Sequence, residues 1–253
     1  MTNIRILGTG TSTGVPTIGC TCPVCQSADP RDSRLRTSVL YEEDHTQILL
    51  DCGPDFRQQI LPLPFKPLQA VLLTHEHFDH VAGIDDLRSF SYRSELPIYT
   101  NKLTAIHLEQ RMPYCFIDKS YPGIPKLALK VVEPYKTFSV GTVAITPISI
   151  MHGELPIFGY RLNKMAYITD MLYMPEASFE KLQGLEVLIL NALRIKLHST
   201  HESLSQAIEV AKRVGARRTY LVHMSHDIGL HAQVEKQLPE GIFIGYDGQT
   251  IEY

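Results

Sequence analysis

The hexapeptide HEHFDH at residues 75–80 restricts the folds open to this 253-residue chain more than any other segment. It follows the apolar run 70–73, which is typical of a buried strand. Four potential metal ligands within six residues cannot all face one way on a regular strand or helix, so they predict a loop folded around a small volume. Imidazole nitrogens and carboxylate oxygens bind zinc, iron or manganese. A solvated polar loop is the competing interpretation.

Further ligands are expected at the ends of other strands. Alternation places His75 and His77 on one side of the loop and leaves Asp79 and His80 to turn towards a second ion. Three candidates elsewhere each follow a short apolar run, as His75 does. These candidates are His152, Asp170 and His223. Each alone would be an ordinary surface residue, but their shared position predicts that they converge on the hexapeptide.

The rest of the chain is typical of an α/β fold. Short runs rich in Val, Ile, Leu and Tyr recur between Gly, Pro, Asp and Asn, and they predict many strands. Residues 158–169 predict a hairpin with a two-residue turn. An apolar stripe over 202–214 predicts a helix that ends at Gly215, and weaker patterns predict helices over 103–111, 175–182 and 81–90. Because no linker rich in Gly, Ser or Pro divides residues 1–253, we expect a single domain of two sheets covered by helices.

These features resemble the metallo-β-lactamase superfamily of hydrolases over nearly the whole chain, from the segment 8–10 to the segment 246–248. The resemblance implies an αβ/βα four-layer sandwich, with two mixed β-sheets flanked by helices and a dinuclear metal site at one edge. It implies His75, His77 and His152 as ligands of one divalent ion. It implies Asp79, His80 and His223 as ligands of the other, with Asp170 as the bridge. Zn, Mn or Fe ions about 3.5–4 Å apart would share a hydroxide, and Asp79 would also belong to the catalytic machinery.

A second cluster places three thiols, Cys20, Cys22 and Cys25, within six residues. Thiolates at this spacing predict one tetrahedral zinc, for which His226 is the chosen fourth ligand. The first ten residues lack a basic region followed by an apolar block, so we expect a cytoplasmic protein. Clustered thiols in the cytosol bind metal more often than they form disulfides. Three unligated thiols, or one strained disulfide, is the competing interpretation.

The loop 8–16 (GTGTSTGVP) together with the cysteine cluster resembles the PhnP group of phosphodiesterases. The resemblance implies that the zinc of the cysteine cluster is structural and distinct from the catalytic pair. The resemblance implies hydrolysis of a small phosphodiester, such as a cyclic, ribosyl or nucleotide ester, by the bridging hydroxide. It also implies a histidine that protonates the leaving oxygen from a position just before the helix 202–214. His201 matches this position better than His198, because it adjoins the helix. Asp51, at the end of another predicted strand, is expected to orient a metal ligand.

Two other functions stay open: a tRNase Z-like RNA 3′-processing endonuclease, and a PqqB-like metal-binding or carrier protein that shares the N-terminal pattern. tRNase Z usually carries a long tRNA-gripping arm between the equivalents of His152 and Asp170, where this chain has only residues 153–169. The net charge of −3 provides no basic field for nucleic acid. We therefore expect a small-molecule substrate.

The sequence gives little information about a membrane, a second subunit or the identity of the substrate. No run of 18 apolar residues predicts a membrane span. A homodimer agrees with the family resemblance, although no feature of the sequence requires one. The loops 88–95 and 112–125 are expected to select the substrate. Cys52 and Cys115 stand alone and are predicted to be buried thiols, whereas His45, His107 and His231 show no pattern that suggests a site.

Overall fold

The computed structural model describes residues 1–116 and 123–253. Their strands form two seven-stranded sheets. The first sheet contains, in spatial order, β14 (Thr250–Glu252), β1 (Thr2–Gly8), β2 (Ser38–Glu43), β3 (Thr46–Leu50), β4 (Ala70–Leu72), β5 (Leu96–Thr100) and β6 (Leu127–Val131). The second contains β13 (Ile242–Ile244), β12 (Arg218–Val222), β11 (Val187–Asn191), β10 (Met165–Ile168), β9 (Leu155–Leu162), β8 (Val143–His152) and β7 (Phe138–Val140).

Each sheet is antiparallel in one half and parallel in the other. In the first sheet β14, β1, β2 and β3 pair antiparallel, and β3 to β6 pair parallel. In the second, β7 to β10 pair antiparallel and β10 to β13 pair parallel. Parallel neighbours end at the same edge of a sheet, so their carboxyl ends bring distant parts of the chain together.

Helices cover the outer faces of both sheets. The α-helices are α1 (Phe56–Ile60), α2 (Phe78–Val81), α3 (Lys102–Arg111), α4 (Pro113–Phe116), α5 (Glu176–Lys181), α6 (Leu204–Val214) and α7 (His231–Val234). Short 3-10 helices occupy Pro30–Asp32, Ile84–Ser89, His226–Ile228 and Glu235–Gln237. Among the helices of the described residues, none is long and apolar enough to cross a membrane.

Alternation along the strands builds the four layers. In β3, Ile48 and Leu50 point into the core between the sheets, whereas Leu49 points outward beneath the helices. The inter-sheet core also contains buried side chains of the second sheet, such as Tyr167 and Ile189. The outer faces pack separately against their own helices. The predicted αβ/βα four-layer sandwich is therefore confirmed.

The local predictions hold except at one helix. β9 and β10 form the predicted hairpin, and α6 ends at Gly215, which adopts a left-handed φ of 67°. The helix predicted over 81–90 is wrong: α2 ends at Val81, and a 3-10 helix follows it. The amide of Gly83 donates to the carbonyl of Cys52 at 2.9 Å, which diverts it from helical hydrogen bonding. The predicted substrate loop 112–125 lies partly outside the described residues.

Candidate functional site

The polar side chains predicted at strand ends meet at one edge of the sandwich, between the two sheets. The first sheet supplies the residue after β3 and the loop after β4, and the second supplies residues at the ends of β8, β10 and β12. These contribute Asp51, His75, His77, Asp79, His80, His152, Asp170 and His223. All but His77 are buried. The geometry thus concentrates ionisable groups at a position that water reaches poorly.

Three of these residues leave their strands with left-handed backbones. The φ angles are 58° at Asp51, 57° at Asp170 and 57° at His223. Residues with a side chain rarely adopt this conformation, and strained backbone of this kind costs about 1–3 kcal/mol per residue. Each of the three places its side chain in the cluster, so the strain coincides with the site.

The first group of side chains comprises His75, His77 and His152, whose ligand atoms lie within 4.8 Å of one another. Nδ1 of His75 lies 2.9 Å from the hydroxyl of Thr74, and Nδ1 of His152 lies 3.0 Å from the carbonyl oxygen of Thr200. A carbonyl oxygen only accepts, so Nδ1 of His152 donates, and this leaves its Nε2 free to act as a ligand.

The second group comprises Asp79, His80, Asp170 and His223, again with ligand atoms within 4.8 Å of one another. Nε2 of His80 lies 3.1 Å from Asp170, and Nε2 of His223 lies 3.2 Å from the same carboxylate. Ligand atoms of Asp170, His152 and His201 also lie within 4.8 Å of one another. The carboxylate of Asp170 therefore lies where it can contact ions in both groups.

The donor set fits divalent metal ions. Nε2 of His75 is buried and makes no hydrogen bond within the described chain. Nε2 of His80 and of His223 face carboxylate oxygens at 3.1–3.5 Å without hydrogen-bonding geometry. Buried polar atoms without a hydrogen-bond partner lower the stability of the fold, and a cation among them would serve as their partner.

Ionisation also suits a cation. Burial alone would raise the pKa values of Asp79 and Asp170, but His80 and His223 outweigh it and hold both pKa values below the usual range. Burial lowers the pKa of His75 well below its usual value, so its imidazole is neutral. Despite burial, the carboxylates of Asp79, Asp170 and Asp51 raise the pKa of His80 well above its usual value. Imidazole binds metal in its neutral form, so a cation would displace the proton of His80 and take its place beside the ionised carboxylates.

Asp51 contacts the cluster through His80, a position from which it can orient that side chain. Its carboxylate lies 2.8 Å from Nδ1 of His80 and accepts a hydrogen bond from the hydroxyl of Tyr167 at 2.9 Å. It also accepts from the amide of Thr74 at 2.9 Å. The contact with Tyr167 crosses from the first sheet to the second, and sequence reasoning missed it because no local pattern marks that tyrosine.

His201 lies closer to the cluster than His198 does. Nε2 of His201 is 3.0 Å from Asp170, and its Nδ1 is 2.9 Å from the hydroxyl of Thr200. Nδ1 of His198 is 3.3 Å from Nδ1 of His201, on the side away from Asp170. His201 also groups with His152 and Asp170 as a possible ligand. The geometry therefore favours His201 over His198 for contact with a substrate.

A contact from α3 holds the hexapeptide loop in place. The buried carboxylate of Glu76 lies 2.9 Å from Nδ1 of His107 and accepts from the hydroxyl of Thr104 at 3.2 Å. The guanidinium of Arg111 donates to the carbonyl of Glu76 at 2.7 Å. No sequence pattern marked His107, which the structure places against this loop.

The cysteine cluster forms a second site near the segment that follows β12. Sγ atoms of Cys20, Cys22 and Cys25 lie 3.2, 3.3 and 3.4 Å from Nδ1 of His226. All four ligand atoms lie within 4.8 Å of one another, and none of these cysteines forms a disulfide. The 3-10 helix His226–Ile228 starts three residues after His223, so one segment reaches both clusters, as the sequence predicts.

The thiols differ in acidity. A hydrogen bond from the Cys25 amide lowers the pKa of Cys22 to about 6, whereas burial raises the pKa of Cys25 to about 11. At least one thiolate is therefore present at neutral pH, which suits a tetrahedral Cys₃His zinc site. Cys52 and Cys115 are buried and lie outside the cluster, as predicted.

Comparison with known proteins agrees with this geometry. The sequence profile of the beta-lactamase superfamily domain matches residues 46–224. A crystal structure described as a new diphosphatase from the PhnP family superposes with a TM-score of 0.93 at 38% identity, covering 100% of this chain and 97% of that one. Zn(2+)-bound PqqB from Methylobacterium extorquens superposes with a TM-score of 0.78 at 20% identity, over 99% of this chain and 100% of that one. At that identity PqqB supports the fold alone.

A curated relative is longer than this chain. The octanoyltransferase of Porphyromonas gingivalis is 44% identical over 245 residues, which are 96% of this chain but 50% of that protein. The chain spans 53% and 33% of the next two curated relatives. The name of the longer protein therefore does not assign octanoyl transfer to the half that matches.

Proposed function

The chain belongs to the metallo-β-lactamase superfamily and, within it, to the PhnP family, and from this premise we propose that it is a metal-dependent phosphodiesterase acting on a small phosphodiester. The observation that carries the proposal is the position of Asp170. Its carboxylate lies 3.0–3.2 Å from Nε2 of His80, His201 and His223, and it also groups with His152, a member of the first set of candidate ligands. A hydrolase that handles a phosphoryl group between two cations needs a bridge in this place.

We propose His75, His77 and His152 as ligands of one divalent ion, and Asp79, His80 and His223 as ligands of the other. Asp170 would contribute to both sites. Bound ions would supply Lewis acidity, which neutralises charge on the phosphoryl group and acidifies water. The observed donors do not separate zinc from manganese or iron, because imidazole and carboxylate suit all three.

The remaining proposed roles belong to side chains beyond the ligands. His201 holds a proton next to Asp170 and donates it to the departing sugar oxygen, because an alkoxide is a poor leaving group without one. Thr200 fixes His201 through its hydroxyl and His152 through its carbonyl. One residue thus positions a ligand and the acid together, which favours an enzyme over a metal carrier.

The similarity to the PhnP-family diphosphatase favours a second candidate, hydrolysis of a diphosphate linkage. The two reactions share the charge problem at phosphorus but differ in the leaving group. A departing phosphate is already stable as an anion, so it needs no proton from His201. The dependence on His201 therefore distinguishes the candidates.

Two other functions have weaker support. The segment between His152 and Asp170 folds into β9 and β10 without a protruding arm for tRNA. The name of the octanoyltransferase does not support octanoyl transfer by this chain, because the chain spans only half of that protein. The Cys20, Cys22, Cys25 and His226 group is proposed to bind one structural zinc, which leaves the catalytic chemistry to the other cluster.

The test is a substrate panel on protein whose metal content has been measured. The panel contains bis(p-nitrophenyl) phosphate, ribosyl 1,2-cyclic phosphate, a 2′,3′-cyclic nucleotide, a dinucleoside diphosphate and a pre-tRNA with a 3′ trailer. We expect turnover of at least one small diester, abolished by Asp170→Asn. Metal-loaded protein that removes the trailer but leaves every small ester intact would refute the proposal, and so would loaded protein without any turnover.

A further inference from the structure

The outer face of the first sheet contains a cavity that is separate from both metal clusters. Its volume is about 600 Å³, within the usual range for small-molecule sites. Its floor is the uncovered end of β1 and β2, where Arg5 pairs with Leu40 and Asn3 pairs with Glu42. None of its lining residues belongs to either proposed ligand set.

The cavity exists because the helices cover this face incompletely. α1 and the 3-10 helix Ile84–Ser89 pack over the middle of the sheet, but the strands nearest its edge stay open. The wall nearest α1 is apolar: Phe56 is fully buried, and Phe65 stacks on Phe90 with ring centroids 5.1 Å apart. At the mouth, 67% of Phe65 and 61% of Leu61 is exposed. Apolar surface of this kind gains free energy when a ligand covers it.

Charge at the rim distinguishes this cavity from a packing gap. Arg5 and Arg57 line it, and neither guanidinium makes an ion pair or side-chain hydrogen bond within the described residues. The third cation, Lys66, is already paired with Glu42. Asp86 also lines the cavity without an ion pair in the described part of the chain, so the lining carries one net positive charge.

We propose that this cavity binds a medium-chain carboxylate, with the aliphatic chain along Leu61, Phe65 and Phe90 and the carboxylate between Arg5 and Arg57. Guanidinium groups pair with carboxylates through two parallel hydrogen bonds, and they are strongest where neighbouring apolar surface excludes water. Each additional buried CH₂ would tighten binding about fourfold, so a long chain binds much more tightly than a short one. The site is independent of the proposed phosphodiesterase chemistry.

Calorimetric titration with decanoate, decanol and butyrate tests the proposal on the full chain. We expect decanoate to bind at one site per chain with a negative heat-capacity change, and decanol and butyrate to bind at least tenfold more weakly. Arg5→Gln and Arg57→Gln should each weaken decanoate about tenfold. The exposed Arg217→Gln, on the other sheet, should change nothing.

Three results would overturn the proposal. They are no saturable binding of decanoate, equal binding of decanol, or decanoate binding that both arginine variants leave unchanged. A concentration-dependent dimer that Leu61→Ser disrupts, in protein that does not bind decanoate, would assign the cavity to a second copy of the chain instead. Circular dichroism of each variant verifies that the fold is intact; Arg57, Leu61 and Arg217 are exposed and Arg5 is half-buried.

Discussion

Nδ1 of His80 lies 2.8 Å from a carboxylate oxygen of Asp51, and both side chains are buried. A carboxylate behind a histidine fixes the ring and its tautomer, so that the opposite nitrogen, Nε2, points into the cluster. The carboxylate of Asp51 also accepts hydrogen bonds from the hydroxyl of Tyr167 and the amide of Thr74, and these contacts fix its position. The orientation of one proposed ligand therefore depends on three elements of two sheets.

Asp51→Asn should weaken metal binding at the Asp79, His80 and His223 group by about 10–100-fold, because an amide cannot accept all the donors that the carboxylate accepts. Competition with a chelator, followed by metal analysis, measures the change. Asp44→Asn is the matched control. The backbone of Asp44 is also left-handed, with a φ of 53°, but its side chain is exposed, so metal affinity should not change. Unchanged metal affinity in folded Asp51→Asn protein would contradict the positioning role.

The site residues at the strand ends were predictable from the sequence, because a short local pattern marks each of them. His75, His152 and His223 each follow an apolar run, and parallel strands of one sheet end at the same edge. The cysteine cluster was also predictable from a local pattern, because three of its members lie within six residues. His226 could be added because it follows His223 closely.

What the sequence does not contain is the packing between distant segments. Tyr167 donates to Asp51 across 116 residues of chain, and His107 contacts Glu76 across 31. These contacts depend on how the sheets and helices stack, and no periodic pattern encodes that. The failed helix prediction over 81–90 has the same origin, since Gly83 bonds to the distant Cys52.

His201→Ala should slow hydrolysis of an unactivated diester by about 10²–10⁴-fold and that of bis(p-nitrophenyl) phosphate much less. The p-nitrophenolate leaves without a proton, so it does not need the acid. His198→Ala, three residues away, is the control and should affect both substrates little. Equal losses on both substrates would count against the acid role and in favour of a metal-binding role for His201.

Cys22→Ser should remove one zinc per chain and lower the thermal unfolding temperature, while turnover per folded molecule persists. The thiolate is the ligand, and serine does not replace it. Because the pKa of Cys22 is lowered to about 6, zinc should also dissociate from the wild type as the pH falls below that value. Cys115→Ala, which removes a buried thiol outside the cluster, should lower stability with full zinc content. Lost turnover in folded Cys22→Ser protein would show that the site is not merely structural.

The last prediction concerns pH and His231, which is 3% exposed. Burial, together with Arg34 and Arg31, lowers the pKa of His231 from 6.5 to about 4. Between these values the unfolded chain binds a proton that the folded protein does not, so acid favours unfolding. The contribution of His231 to stability is complete above pH 6.5 and is lost as the pH falls towards 4, by about 3 kcal/mol in all.

His231→Gln removes this titration. The unfolding free energy of the wild type minus that of the variant should therefore rise by about 3 kcal/mol between pH 4 and pH 7, measured by urea denaturation. Metal release at low pH affects both proteins equally and cancels in the difference. His45→Gln, at an exposed histidine, should give a difference that does not change with pH. If the difference in unfolding free energy for His231→Gln also stayed constant with pH, His231 would be protonated in the folded protein as easily as in the unfolded chain.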